Sequence, residues 1–311
     1  MLNPKLYLVV LLLAYCSQIR ANTLKSVVDD FQQAISEGKT TTILGVDNDT
    51  LLLNRNDGFY TSGIHFDRQY VIRGSDQSSL FAWRFGQELY TSADIKRSPE
   101  LIGPPDHPYA AWLYAGIYKE TYFAGGAQTR IGLDIGCLGP CAGGLWAQTN
   151  LHRILHQPLP QGWAKQVKNE LGAVLYGEIT TCRWNVSQSL DLTPHLRGRF
   201  GNIFADVGGG FTLRAGRLAD LPNQTSLFGV MRFDTNVVAY NATLQGGYFS
   251  SGNVHTVEPK RIVNQAQLGI VWRDGKYGVN ASIVRRGNEI RPLSNAIGAQ
   301  NFARLEFSYT P

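Results

Sequence analysis

A stretch near the middle of the chain, Ala147 to His156, reads as a helix ending before Pro158, and it carries the best placed proton acceptor in the sequence. Gln148 and His152 stand four residues apart and so share one helical face. Of the six histidines, His152 is held on a rigid element, where a neutral imidazole can serve as a general base. A lone histidine is nevertheless more often structural than catalytic. His152 and His156 also form an H-x-x-x-H pair, the spacing at which a helix offers two ligands to zinc. Arg153, however, stands where the hydrolytic motif needs glutamate. Leu151, Ile154 and Leu155 make an apolar face expected to pack this helix on the wall of the protein.

A second polar group lies far upstream, where Asp47-Asn48-Asp49 is followed by Phe59-Tyr60-Thr61-Ser62-Gly63. Thr61 shares parity with Gly63, His65 and Asp67, which predicts that it points to the same inner side of its strand. Clustered Asp and Asn oxygens suit a hard cation such as calcium. Asn-Asp-Thr and Asn-Asp-Gly are also ordinary loop formers, and on residue chemistry alone that plainer reading is ahead.

The elements that must hold these residues are strands. Hydrophobic residues make up 43% of the chain, aromatics 11% and charged residues only 17%, with 33 glycines and 14 tyrosines, a profile of many short strands. In Leu80 to Tyr90, the residues Phe81, Trp83, Phe85 and Leu89 share one parity and Ala82, Arg84, Gly86 and Glu88 the other. Ile64, Phe66, Tyr70 and Ile72 likewise oppose Gly63, His65, Asp67 and Gln69, with Arg68 a lapse, and Leu268 to Ile283 reads as a hairpin turning at Asp274-Gly275. About twelve such segments can be counted, an even number as closed bacterial barrels require. A soluble β-sandwich would show the same period. Tyr and Trp at strand ends and charges with glycines on the polar parity favour a membrane barrel with a wet lumen. The expected fold is therefore an all-β, antiparallel outer-membrane barrel of about twelve strands, with one helix after the fifth strand. A second helix, carrying Val27, Val28, Phe31, Ala34 and Ile35, is expected at the N-terminus.

Residues 1–21 have the basic, apolar and polar regions of a secretory signal, which leaves 22–311 as a single barrel domain. The apolar run is too short to span as a helix. Cleavage removes two of 29 cations and none of 24 acids, so the net charge falls from +5 to +3. The remaining Lys and Arg are scattered, which argues against a nucleic-acid partner. Three cysteines remain, Cys137, Cys141 and Cys182, so at least one is unpaired. A disulfide between two of them and a plain structural role are equally open.

Asn48-Asp49, Tyr60-Thr61-Ser62-Gly63, Asp134-Ile135-Gly136, Gly139-Pro140, Gly143-Gly144, Gln148 and His152-Arg153 occur in the order and approximate spacing of the lipid A 3'-O-deacylase family of Gram-negative outer membranes, which the chain resembles. The second half of the chain matches only as a strand pattern. The resemblance implies a twelve-stranded barrel in the outer membrane, in contact with membrane lipid, and a monomer is expected. It also implies calcium-dependent hydrolysis of the 3'-linked acyl ester of lipid A, the substrate being lipopolysaccharide. It further implies His152, Thr61, Gln148 and Lys96 as catalytic residues and Asn48 and Asp49 as calcium ligands. The Asp94-Ile95-Lys96-Arg97 loop aligns only across a gap, and an acidic residue expected a few positions beyond the histidine falls on Pro158. Two rivals remain. An outer-membrane phospholipase would need a serine beside the histidine, and none is near His152 in the sequence. A non-catalytic porin or adhesin would use the insertion helix as a lumen plug.

Overall fold

The computed structural model describes residues 24–52, 58–74, 77–181, 183–219, 221 and 224–311. The signal peptide, Asn56-Asp57 and Cys182 lie outside the described residues. The chain forms two units, 1–38 and 39–311. The first contains helix α1, Leu24–Glu37, the expected N-terminal helix.

The second unit is a closed barrel of twelve antiparallel strands. In chain order these are β1 (Lys39–Asn48), β2 (Phe59–Arg73), β3 (Gln77–Thr91), β4 (Ala110–Phe123), β5 (Gln128–Leu138), β6 (Glu170–Thr180), β7 (Leu190–Gly201), β8 (Phe204–Arg217), β9 (Ser226–Asn241), β10 (Ile262–Arg273), β11 (Tyr277–Arg286) and β12 (Gln300–Tyr309). Each pairs with its neighbours in sequence, β6 pairs directly with β7, and β1 pairs with β12 from Thr42↔Tyr309 to Asn48↔Ala303. Closure leaves no sheet edge among the twelve, which backbone in lipid requires and a sandwich does not supply. Among the described residues no helix is long and apolar enough to cross a membrane.

The parity seen in the sequence becomes the two faces of the wall. Phe85, Ile117, Ile135 and Leu175 face outward and are exposed, as a lipid-facing band should be. His65, Asp67, Gln69, Arg84 and Glu88 line the lumen. Long connections, 92–109, 139–169 and 242–261, lie at one end, and short turns such as 124–127 and 274–276 at the other. In bacterial barrels the longer loops are extracellular.

Two strands end earlier than the sequence pattern predicts. Strand β9 stops at Asn241 rather than running to 246, because Asn241 Oδ1 accepts from Thr243 N at 3.0 Å and caps a short helix, Ala242–Gln245. Strand β6 stops at Thr180 rather than 184, and Trp184–Ser187 pairs separately with β7.

Candidate active site on the outer wall of the barrel

Strand register sets the frame for the site. Asn48 pairs with Ser62, Ser62 with Leu89 and Leu89 with Ala111, a row crossing β1 to β4 at the long-loop end. Cross-strand partners share a face, and Asp47, Glu88 and Tyr90 occupy the lumen parity, so this row lies on the outer wall. Three strand spacings make it about 14 Å wide.

Over the Ala111 end of the row sits helix α2, Gly144–Ile154. Its buried residues are Gly144, Gln148 and His152, one face at i, i+4 and i+8. The expected orientation is thereby reversed. Leu151, Ile154 and Leu155 do not pack on the wall but face away from it, with Ile154 72% exposed. The reason is steric and polar together. Gly144 is small enough to approach the wall, where an added Cβ would lie 2.6 Å from Ala111 Cβ and 2.4 Å from Trp163 Cη2. The polar residues that follow on its face find partners there.

Gln148 Oε1 accepts from the indole N–H of Trp163 at 2.8 Å. Trp163 lies on a short 3₁₀ turn, Gly162–Lys165, and is buried with Leu89, Ile102, Tyr109, Ala111 and Ala142. Gln87 Nε2 donates to the Ala142 carbonyl at 2.6 Å, tying the start of the helix to β3. His152, only 4% exposed, places Nδ1 2.6 Å from the Pro158 carbonyl oxygen. A carbonyl can only accept, so Nδ1 carries a proton, and in the neutral imidazole the lone pair is then on Nε2. The proline that stands where an acidic residue was expected thus contributes its backbone oxygen. His156 lies beyond α2 in left-handed backbone (φ 54) and is exposed, so it does not continue the face of His152.

Thr61 departs from its predicted direction. A β-bulge between Tyr60 and Ser62 inserts it as an extra residue, so the inward parity counted back from Gly63 does not reach it. Its hydroxyl is 2.6 Å from that of Thr91, which has the outer parity of β3, and both are buried. Asn48 Oδ1 accepts from Thr50 N at 2.8 Å and from the Thr50 hydroxyl. Asp49 is buried, and its Oδ2 accepts from Gly58 N at 3.0 Å. Both offer the hard oxygen donors that calcium prefers, so the donor types fit that ion. Lys96 is not drawn in. It sits in an exposed turn, its backbone N–H held by Asp94 Oδ1 at 3.0 Å. Asp47, grouped with Asn48 and Asp49 in the sequence, belongs to the other face. Its carboxylate takes two bonds from Arg304, at 2.8 and 2.6 Å, and one from the Tyr60 hydroxyl at 3.1 Å.

A sequence profile of the outer membrane protein LpxR family matches residues 6–310. The chain belongs to this family. LpxR from Salmonella typhimurium is similar over 87% of this chain and 100% of its own, with a TM-score of 0.74 at 20% identity. The β-domain of the Bordetella autotransporter BrkA is similar over 87% of this chain and 97% of its own, with a TM-score of 0.48 at 12% identity. None of the curated proteins matches the sequence. The LpxR fold accounts for the twelve strands and the outer-membrane location. Trp163, Thr91 and the Pro158 carbonyl contact the candidate residues Gln148, Thr61 and His152, and none of the three contacts was predicted from the sequence. Thr91 was within reach as the last residue of a predicted strand. Trp163 and Pro158 act through loop geometry that has no periodic signature.

Proposed function

We propose that this LpxR-family protein is a calcium-dependent ester hydrolase that removes the 3'-linked acyl group from lipid A. Membership of the family supports lipid A modification in the outer membrane. One observation carries the finer reading. The imidazole and amide of α2 face the outer wall, where a membrane lipid lies, and not the lumen. His152 Nε2 takes a proton from a water that attacks the ester carbonyl, and the imidazolium returns that proton to the alcohol as the C–O bond breaks. Gln148, its oxygen held by Trp163, would help position the substrate or water, and the buried hydroxyl pair Thr61–Thr91 would orient the same region. Calcium held by Asn48 and Asp49 would supply a Lewis acid for the carbonyl and its developing oxyanion. Lys96, in an exposed turn at the same rim, is suited to a lipid A phosphate as a mobile point charge.

The porin alternative fares worse for a physical reason. Polar contacts line the lumen: Arg304 pairs with Asp47 on the adjacent strand, Arg232 reaches Glu178 at 2.9 Å, and His195 Nε2 lies 2.9 Å from Asp234 Oδ1. Aromatic packing of Tyr60 with Phe302 and Tyr90 narrows it toward the long-loop end. The test is mass spectrometry of lipid A from cells carrying wild type or His152→Asn. Wild type should remove the 3'-linked acyl group and the variant should not, and chelator should stop the reaction until calcium is returned. Identical lipid A with and without the protein would refute the proposal.

A further inference from the structure

The outer face of α2 needs a partner. A helix on a water-soluble protein turns its apolar stripe to the core. Here the polar residues face the protein, and Leu145, Trp146, Leu151, Ile154 and Leu155 face away, Trp146 being 74% exposed. The height of the helix says what covers them. Gly144 rests on Ala111, and below Ala111 the outward residues of β4 and β5, among them Ile117 and Ile135, form the lipid-facing band. The helix is thus seated at the upper edge of that band, continuous with it, at the level where Trp settles in membranes. Charge agrees with this. From Gly139 to Asn169 the loop has no Asp or Glu, while Arg153, Lys165 and Lys168 are basic. Anionic headgroups attract such a segment.

We infer that α2 is an interfacial helix whose outer face is embedded in the acyl region of the outer leaflet, with Arg153 at the level of anionic headgroups. The membrane then forms one wall of the space beside Gln148 and His152, and the helix is held between barrel and lipid. This goes beyond the deacylase reading and does not depend on it.

The test uses the full protein folded into bilayers of phosphatidylcholine and phosphatidylglycerol, the former brominated on its upper acyl chains. The emission of Trp146 is obtained as wild type minus Trp146→Phe. Bromine is expected to quench that difference, and aqueous iodide to leave it unchanged. Quenching by iodide without quenching by bromine would put the face in water and overturn the inference. Insensitivity to both would mean that protein covers the face, which overturns it as well. Bimane attached at Ile154→Cys reports on the same face with Trp146 in place. Because no turnover is measured, failure here is separate from failure of the hydrolase proposal.

Discussion

Gly144→Ala tests whether close docking of α2 positions the site. The new methyl would lie 2.4 Å from Trp163 Cη2 and 2.6 Å from Ala111 Cβ, against about 3.5–4.0 Å for comfortable carbon contact. The helix must therefore move out by about 1 Å or Trp163 must turn. Two energies oppose one another. Replacing Gly in a helix with Ala gains about 1 kcal/mol, whereas overpacking a tight contact costs about 1–3 kcal/mol. The net change in stability is small, between about 0 and 2 kcal/mol, and the barrel should fold. Activity should respond far more, because a displacement of about 1 Å in a positioned group can cost on the order of 10²-fold in rate. The assay is release of fatty acid from lipid A, with heat-modifiable migration as the check on folding. Gly103→Ala is the control, since an added Cβ there meets nothing within 4 Å. Ala111→Gly placed in the Gly144→Ala background removes one of the two clashes and should restore part of the rate. Wild-type turnover by Gly144→Ala, with its stability unchanged, would refute the reasoning.

Other predictions follow from the same geometry. His152→Asn should cost about 10²–10⁴-fold in rate. Because His152 is buried rather than on an open polar face, His152→Ala should also cost some stability, read from the unfolding midpoint. Trp163→Phe keeps the ring packing but removes one hydrogen bond, about 0.5–1.5 kcal/mol, and its effect on rate should vanish in a Gln148→Ala background. Arg304→Met leaves Asp47 buried without its cation and should destabilise the barrel by about 3–5 kcal/mol, measured by denaturant unfolding. His107 is fully buried in the 92–109 loop, and burial holds its pKa below the ordinary 6.5, although its Nδ1 lies 2.6 Å from the Pro108 carbonyl. A depressed histidine contributes stability that is present above 6.5 and lost as pH falls through its lower folded value. Protease cleavage in this loop should therefore rise on acidification, and His107→Gln should remove the pH dependence.

The fold was legible because lipid outside and water inside force an alternation that each strand carries on its own. Phe85 and Arg84 point to opposite sides whatever the other strands do. What period two cannot reveal is where it is interrupted. The bulge at Thr61 costs one residue of register, and nothing about Thr61 or Ser62 as residue types announces it. The reversed helix was unreadable for another reason. Leu151, Ile154 and Leu155 form an apolar stripe, and the rule that such a stripe faces the protein assumes water on the other side. Gly143-Gly144 carried the counter-signal, since a glycine at the first turn of a helix permits close approach to a wall, and the polar residues in phase with it are Gln148 and His152.

The division of labour between the two faces of the wall turns on single residues. Asp47 and Asn48 are neighbours in β1, yet one anchors Arg304 in the lumen and the other begins the outer row that leads to α2. On the lumen side a buried charge needs a partner, as Asp47 has in Arg304. The outer face near α2 carries mostly short side chains, Ser62 and Ala111 in the row and the Thr61–Thr91 hydroxyl pair beside it, with the imidazole of His152 on the helix above. A charged substitution on this row would meet hydrocarbon or the helix, whereas the same charge one residue away finds a partner. Exchange of the two residues, Asp47→Asn with Asn48→Asp, tests this directly. It keeps composition and net charge, but leaves Arg304 without its carboxylate and places an acid on the outer row. Loss of folding together with loss of activity is expected, and a stable active barrel would show that strand parity does not separate the two chemistries.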